Sequence, residues 1–321
     1  MSEIFFDSFV SVLFALAQIF SIVIFAGFLV RKSVITQPQI NALSQATVYV
    51  FLPALIFANI LEKFRPENFP LWYLIPLIAI CMVFVGIGVN SLFFVRKLKQ
   101  KKNLLPLGSM QNAGYLVLPL GQLLYPNQFD EFSLYVFLFI LGFNPVLWSV
   151  GKILISSNHE IEKQISWKDY ISPPLVLTLI SLFLVLSNMH IYVPKTLVQA
   201  SGLLGAAAVP VATFVLGATL GTVKIKAVFS FYEITASLVT KFFILPLITL
   251  FIILITNLHK TNPLMADFFI IESSVAPATG IILMLRTYGG DSNKIGAMIL
   301  VSYIFSSFAT PMALALWKTF F

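Results

Sequence analysis

The stretch MQNAGYLVLPLG, Met110–Gly121, sets two glycines, a proline and a Gln-Asn pair inside an otherwise apolar run. Pro119 lacks a backbone donor and its ring clashes with the carbonyl four residues earlier. Gly114, just over one turn upstream, lowers helix propensity further. Together they unwind the segment where a plain membrane helix would continue. In hydrocarbon, each backbone group so freed needs a partner from protein, water or ligand. The stretch therefore reads as a purposeful break, and the question is what the rest of the chain builds around it.

The surrounding composition is that of a membrane protein. Of 321 residues, 59% are hydrophobic and only 10% charged, against about 25% charged in soluble domains. Apolar segments of spanning length, about 20 residues, cover roughly 8–30, 41–61, 70–95, 104–125, 131–156, 172–193, 196–221, 228–256, 264–287 and 293–317. All ten are read as helices, since an open sheet edge cannot face lipid. The sixth has the shortest apolar core. The N-terminal MSEIFFDSF is acidic, unlike the basic start of a cleaved signal peptide, so the first apolar run reads as a membrane helix.

Alternate loops then carry unequal positive charge. With the N-terminus outside, fourteen Lys and Arg residues fall on inward loops, among them Arg31, Lys32, the cluster RKLKQKK (Arg96–Lys102), Lys163, Lys168, Lys224, Lys226, Arg286 and Lys294. Five fall outside: Lys63, Arg65, Lys195, Lys260 and Lys318. The positive-inside rule favours both termini outside, in a cell (inner or plasma) membrane. The net charge of +7 thus reads as topology rather than nucleic-acid binding.

Ten helices split into two halves of five, which enter from opposite sides and form an inverted repeat. The expected division is 1–157 for the first half, 158–171 for a short cytoplasmic linker and 172–321 for the second. Pro53 in FLPALIF and Pro210 in AVPVATF occupy matching second and seventh helices. The next breaks, at Pro119 and Pro277, follow 66 and 67 residues later. The second break, ESSVAPATG (Glu272–Gly280), carries Pro277 and Gly280 as breakers. Two such helices crossing near the midplane present half-helix N-termini, whose free N–H groups suit an anion. Gln111, Asn112, Gly114, Pro119, Ser273, Ser274, Pro277, Thr279 and Gly280 are the expected substrate-binding residues.

Intramembrane charges are functional candidates by default. Glu233 and Asp267 lie near helix ends and read as interfacial and solvated. Lys241 lies deep in the eighth helix, and Glu272 just precedes the second break. Two readings stay open for Glu272 and Lys241: a coupling-ion or proton site, or a structural pair. Enzymatic readings fail on inventory. The histidines His159, His190 and His259 share no ligand spacing, Cys81 is alone, and no nucleotide loop or nucleophile elbow occurs. Any pumping is then secondary, with no cofactor beyond a coupling sodium ion or proton.

Four stretches carry a family resemblance: GFLVRKSVITQPQINALSQATVYVFLPALIFANI (27–60), NAGYLVLPL (112–120), AAAVPVATFVLGATLG (206–221) and SSVAPATGIILMLRTYGGD (273–291). In order and spread along nearly the whole chain, they resemble the auxin efflux carrier family in its short bacterial form. The resemblance implies ten helices in two inverted five-helix repeats, a crossover of helices four and nine, and elevator-type transport of small organic anions. The implied substrates are dicarboxylates such as malate or malonate, or an auxin-like acid. The implied partners are that anion and membrane lipid, with a homodimer left open. A more distant similarity is to bile acid:sodium symporters, where an acidic residue at the place of Glu272 helps bind sodium. The alternatives are therefore an ion-coupled symporter of another organic anion, or a channel or scaffold that transports nothing.

Overall fold

The computed structural model describes residues 2–69, 71–156, 171–223, 230–288 and 292–321. Most of the expected linker 158–171, with His159, Lys163 and Lys168, and also Lys224 and Lys226, lies outside the described residues. Within them the chain is helical and contains no strand longer than a single β-bridge.

Seven helical stretches are long and apolar enough to cross a membrane: Glu3–Arg31, Gln37–Lys63, Leu74–Phe93, Pro126–Ile155, Lys195–Gly221, Phe231–Thr256 and Asn293–Phe320. An eighth apolar helix, Pro173–Leu186, is shorter. Its 14 residues rise roughly 21 Å at 1.5 Å each, less than the hydrocarbon core. The expected end at residue 193 is not reached because Asn188 turns left-handed, at φ 57°, and the chain tightens into a 3₁₀ turn, Met189–Tyr192. The two segments expected to break do so. We number the helices α1 (Ser2–Arg31), α2 (Gln37–Ala46), α3 (Leu52–Lys63), α4 (Leu74–Phe93), α5 (Leu105–Ser109), α6 (Val117–Leu124), α7 (Phe129–Val146) and α8 (Pro173–Leu186). The second part of the chain follows with α9 (Lys195–Gly205), α10 (Ala208–Gly221), α11 (Phe231–Val239), α12 (Leu245–Thr256), α13 (Pro263–Ser274), α14 (Gly280–Tyr288) and α15 (Ser292–Phe320).

Several spans carry a widened π turn: Thr47–Phe51 between α2 and α3, Leu147–Gly151 after α7, and Thr240–Ile244 between α11 and α12. Two of them have a local cause. The rings of Pro53 and Pro246 would strike the carbonyls of Tyr49 and Phe242, and each of those lies in the π turn that precedes the proline. Widening the turn relieves that clash without ending the helix.

The main packings are α1 along α10 and α15, α3 against α8 and α9, and α4 on α7, while α13 packs on α12 and α15. The α1–α10 contact is a backbone-to-backbone approach. A Cβ at Gly217 would stand 2.3 Å from the Val23 carbonyl oxygen, and one at Gly221 would stand 2.6 Å from the Gly27 Cα. Small residues allow such approach, and dispersion then replaces the hydrophobic drive that lipid does not supply. Phe14, Phe25, Phe28 and Phe183 point outward, as suits a lipid-facing surface.

Charged groups sort to two ends. Among the segments expected to face inward, Glu233 pairs with Lys101 and Lys294 and Arg286 donates to Gln37; among those expected outside, Lys318 pairs with Asp267 and Lys63 with Asp130. Glu233 and Asp267 correct the expectation of solvated positions. Glu233 is 4% exposed and forms ion pairs with Lys101 and, at 2.6 Å, Lys294. Asp267 accepts from the Tyr125 hydroxyl and the Trp317 indole, both at 2.7 Å, and pairs with Lys318 at 3.1 Å. These are buried clamps between distant helices, each carboxylate held by ionic or hydrogen-bond partners.

The glycine contact gives a direct test. Gly217→Ala must push α1 off α10, whereas Gly88→Ala on α4 meets nothing within 4 Å. Thermal unfolding in detergent should show the first variant destabilised by about 1–3 kcal/mol and the second unchanged or slightly more stable. Equal melting curves would contradict the close approach.

Candidate functional site

The two breaks meet. Residues 110–116 separate α5 from α6, and residues 275–279 separate α13 from α14. The unwound strands pair in an antiparallel bridge between Gln111 and Pro277. The Asn112 N–H donates to the Ala276 carbonyl, and the Ala278 N–H to the Met110 carbonyl, each at 2.9 Å. These bonds flank Gln111 and Pro277, which form a non-hydrogen-bonded pair. A proline fits there because that position needs no ladder donor.

Pro119 plays a different part from the one expected. It is the third residue of α6, where its missing N–H is one of the four a helix start leaves unbonded anyway. It helps begin the second half-helix, and the unwound residues lie upstream of it. The break itself is held by Asn112. Its Oδ1 accepts from the Tyr115 N–H at 3.1 Å, and its Nδ2 donates to the Tyr303 hydroxyl on α15.

On the other side of the crossover, the carbonyls at the end of α13 are taken up by side chains. The Lys241 ammonium, fully buried, donates to the carbonyls of Glu272 at 3.3 Å and Ser273 at 3.2 Å. The Thr310 hydroxyl donates to the Ser274 carbonyl at 2.7 Å. The Ser273 and Ser274 hydroxyls bond back to Ile270 and Ile271 of their own helix. Thus the Lys241 ammonium meets the Glu272 main chain, while both Glu272 carboxylate oxygens are buried with no hydrogen-bond partner.

A cavity opens against the unwound strands. Five of the expected residues line it: Gln111, Asn112, Gly114, Thr279 and Gly280. Pro119, Pro277, Ser273, Ser274, Glu272 and Lys241 do not. Gly114 and Gly280 have no tight neighbour, since a Cβ at either would approach only one methyl, at 3.7 Å. Their bareness keeps backbone open to the cavity and is not required by packing. Gln111 is fully buried, and among the described residues neither its amide oxygen nor its nitrogen has a partner. Buried polar groups are rarely left so, which makes this amide a candidate for contact with a ligand.

Other lining residues were not singled out by sequence. Arg286 is the one charged side chain among the described lining residues; its guanidinium donates to Thr222 at 2.6 Å and Gln37 at 3.4 Å. A signal existed. Thr279, Leu283 and Arg286 recur at i, i+4 and i+7, one face of α14, but Arg286 had been spent on the topology count. Asn41, Ser44, Asn144 and Thr219 add polar groups, and two of the π turns contribute Val48, Leu147 and Trp148. Among the described residues, no group of three His, Cys, Asp or Glu side chains could hold a metal ion.

Interrupted helices with unwound strands paired inside an all-helical membrane body define a polytopic membrane transport protein. A family model described as membrane transport protein matches residues 11–164 and 156–314. The chain belongs to that family, the auxin efflux carrier family. No curated protein matches it.

Asn112 can be tested through its two bonds. Asn112→Ala leaves the Tyr303 hydroxyl and the Tyr115 N–H without partners, at a cost of about 1–3 kcal/mol each when buried. Tyr303→Phe removes one bond and should cost less. Thermal melting of the purified variants checks the order, and an Asn112→Ala variant as stable as the parent would mean the side chain does not hold the break.

Proposed function

We propose that the protein is a secondary transporter of small organic carboxylate anions, which bind in the cavity at the crossover of the two interrupted helices. The carrying observation is the pairing of unwound backbone with one cation: residues 111–115 of the first break and the start of α14 border the cavity, and Arg286 is its single charged lining residue among those described. Helix starts supply N–H groups and partial positive charge, and a guanidinium binds a carboxylate in a two-pronged geometry. Gln111 adds an amide that can donate to a carboxylate oxygen. Apolar and aromatic residues, among them Phe137, Phe143, Leu147 and Trp148, also line it, which suits a carbon skeleton more than an inorganic ion.

The proposed architecture is ten spans in two inverted five-helix halves. The seven long helices, the shorter α8 and the two interrupted segments together supply ten crossings. Corresponding contacts support the repeat: α1 packs on the second part of one kinked span, and α8 packs on the second part of the other. The proposed mechanism is an elevator. One cavity wall comes from α2, α3, α10 and the start of α8; the other comes from the crossover, α7 and α14. A site shared between two packed groups is exposed to alternate sides when one group slides against the other. Gln37, Asn41, Leu283 and Arg286, the exposed residues of the lining, lie at the end expected to face inward, which supports reading the cavity as inward-open. A non-transporting scaffold has no need of a polar cavity at a broken helix.

The test is stabilisation of purified protein by ligands. A panel of malate, malonate, succinate and indole-3-acetate should include at least one compound that raises the melting temperature in the parent. Arg286→Gln should weaken that compound by about tenfold, the equivalent of one charge-assisted hydrogen bond. Gly280→Ala should weaken it while leaving the unliganded melting temperature in place. No response to any anion in the panel would remove support for the site.

A further inference from the structure

The cavity is closed at the end away from its exposed residues, and the closure is polar. Leu52, Ile56, Asn59 and Lys63 follow one another at helical spacing on α3. Asp130, Ser133, Phe137 and Ile140 do the same on α7. The inner members of both rows, Leu52, Ile56, Phe137 and Ile140, line the cavity. Beyond them the same two faces meet. The Asn59 side-chain amide donates to the Ser133 hydroxyl at 2.6 Å, both residues being buried, and that hydroxyl donates to the Asp130 carbonyl at 2.8 Å. Further out, the Lys63 ammonium pairs with the Asp130 carboxylate at 3.1 Å, and both side chains are half-exposed. An exposed ion pair contributes little, so the buried amide–hydroxyl bond is the stronger part of the closure. At the opposite end the bonds of Arg286 to Thr222 and Gln37 are exposed.

This contact differs in kind from a permanent seam. The α1–α10 seam is a backbone approach through glycine, and water would restore nothing to it once parted. Where α3 meets α7, all four side chains carry groups that water can bond when they separate, so the contact opens at small cost. We propose that Asn59 and Ser133, with Lys63 and Asp130 beyond them, form the outer gate of the transport path: parting them opens the cavity to the outside, and rejoining them closes it. The inference rests on the transport reading of the cavity. It gives positioning roles to four residues, none of which lines the cavity itself.

Cysteine chemistry reads the gate, in a Cys81→Ala background because the natural thiol is exposed. With Ile56→Cys as reporter in intact cells, a membrane-impermeant maleimide reaches the thiol from outside only through an open gate. Ser133→Ala combined with Asp130→Asn is expected to raise that labelling rate about fivefold, the shift that one lost hydrogen bond gives an open–closed equilibrium. An unchanged rate would overturn the proposal, since loss of a merely structural contact lowers the melting temperature and leaves access alone. If that variant does not fold, Asn59→Ala removes the same bond and is read by the same label. A second arm closes the gate instead. Asn59→Cys with Ser133→Cys, bridged by mercuric ion, is expected to stop uptake into proteoliposomes of malate, malonate, succinate or indole-3-acetate, whichever stabilises the parent. The bridged protein should still be stabilised by that anion, and excess thiol should restore uptake. Uptake at the parent rate through bridged protein, or a pair that mercuric ion does not bridge, would also overturn the proposal. If labelling responds but no anion of the panel binds, the transport reading fails by itself.

Discussion

Two main-chain hydrogen bonds, Asn112 N–H to Ala276 and Ala278 N–H to Met110, make the rest of the molecule possible. Neither unwound strand is stable alone in a bilayer, because lipid offers nothing to a free amide or carbonyl. Brought together, each strand satisfies groups of the other, and the crossing of the two helices is fixed at one point. The price of interruption is met locally: by Asn112 at the first break, and by Lys241 and Thr310 at the second. What the pairing leaves open is the side on which α14 begins and the first unwound strand runs, and there the cavity lies.

Much of this was legible in the sequence, for a physical reason. Glycine and proline in an apolar run have few innocent uses, so both breaks could be placed from Gly114, Pro119, Pro277 and Gly280. Long apolar runs likewise marked the spans, because only hydrocarbon selects for them. What misled was the assumption that a break sits at its proline. At the second break it does, since Pro277 occupies the one bridge position that needs no donor. At the first break Pro119 starts a helix instead, because its missing N–H costs nothing in a first turn.

Less readable were groups defined by distant partners. Glu233 and Asp267 lie near helix ends and look like interfacial carboxylates in one dimension. Their partners come from 132 residues away for Lys101 and 142 for Tyr125, and no local pattern encodes such meetings. Ser273 and Ser274 were plausible donors by type, but in a helix a serine hydroxyl readily bonds the carbonyl three or four residues back, and both do so. Arg286 was visible and was counted only for topology. A charge near a helix end satisfies the topology rule whether or not it also faces a cavity, so the count had no power to separate the two roles.

The arrangement of half-helix dipoles ties these observations together. An interrupted helix creates two extra ends, one presenting N–H groups and one presenting carbonyls. The cavity borders the N–H end of α14, at Thr279 and Gly280, and the unwound residues before α6, at Gly114. The carbonyl end of α13 faces away from it and is met by Lys241. Complementary charge is thus sent to opposite sides of one break: a fixed cation where the dipole is negative, and an open, positively biased wall where it is positive. Had Lys241 stood on the cavity side, it would bind the anion as a point charge and offer little geometric selection. Placed behind the break, it caps the Glu272 and Ser273 carbonyls. On the proposed reading, contact with the anion is then left to backbone donors, the Gln111 amide and the planar guanidinium of Arg286, all of which are directional.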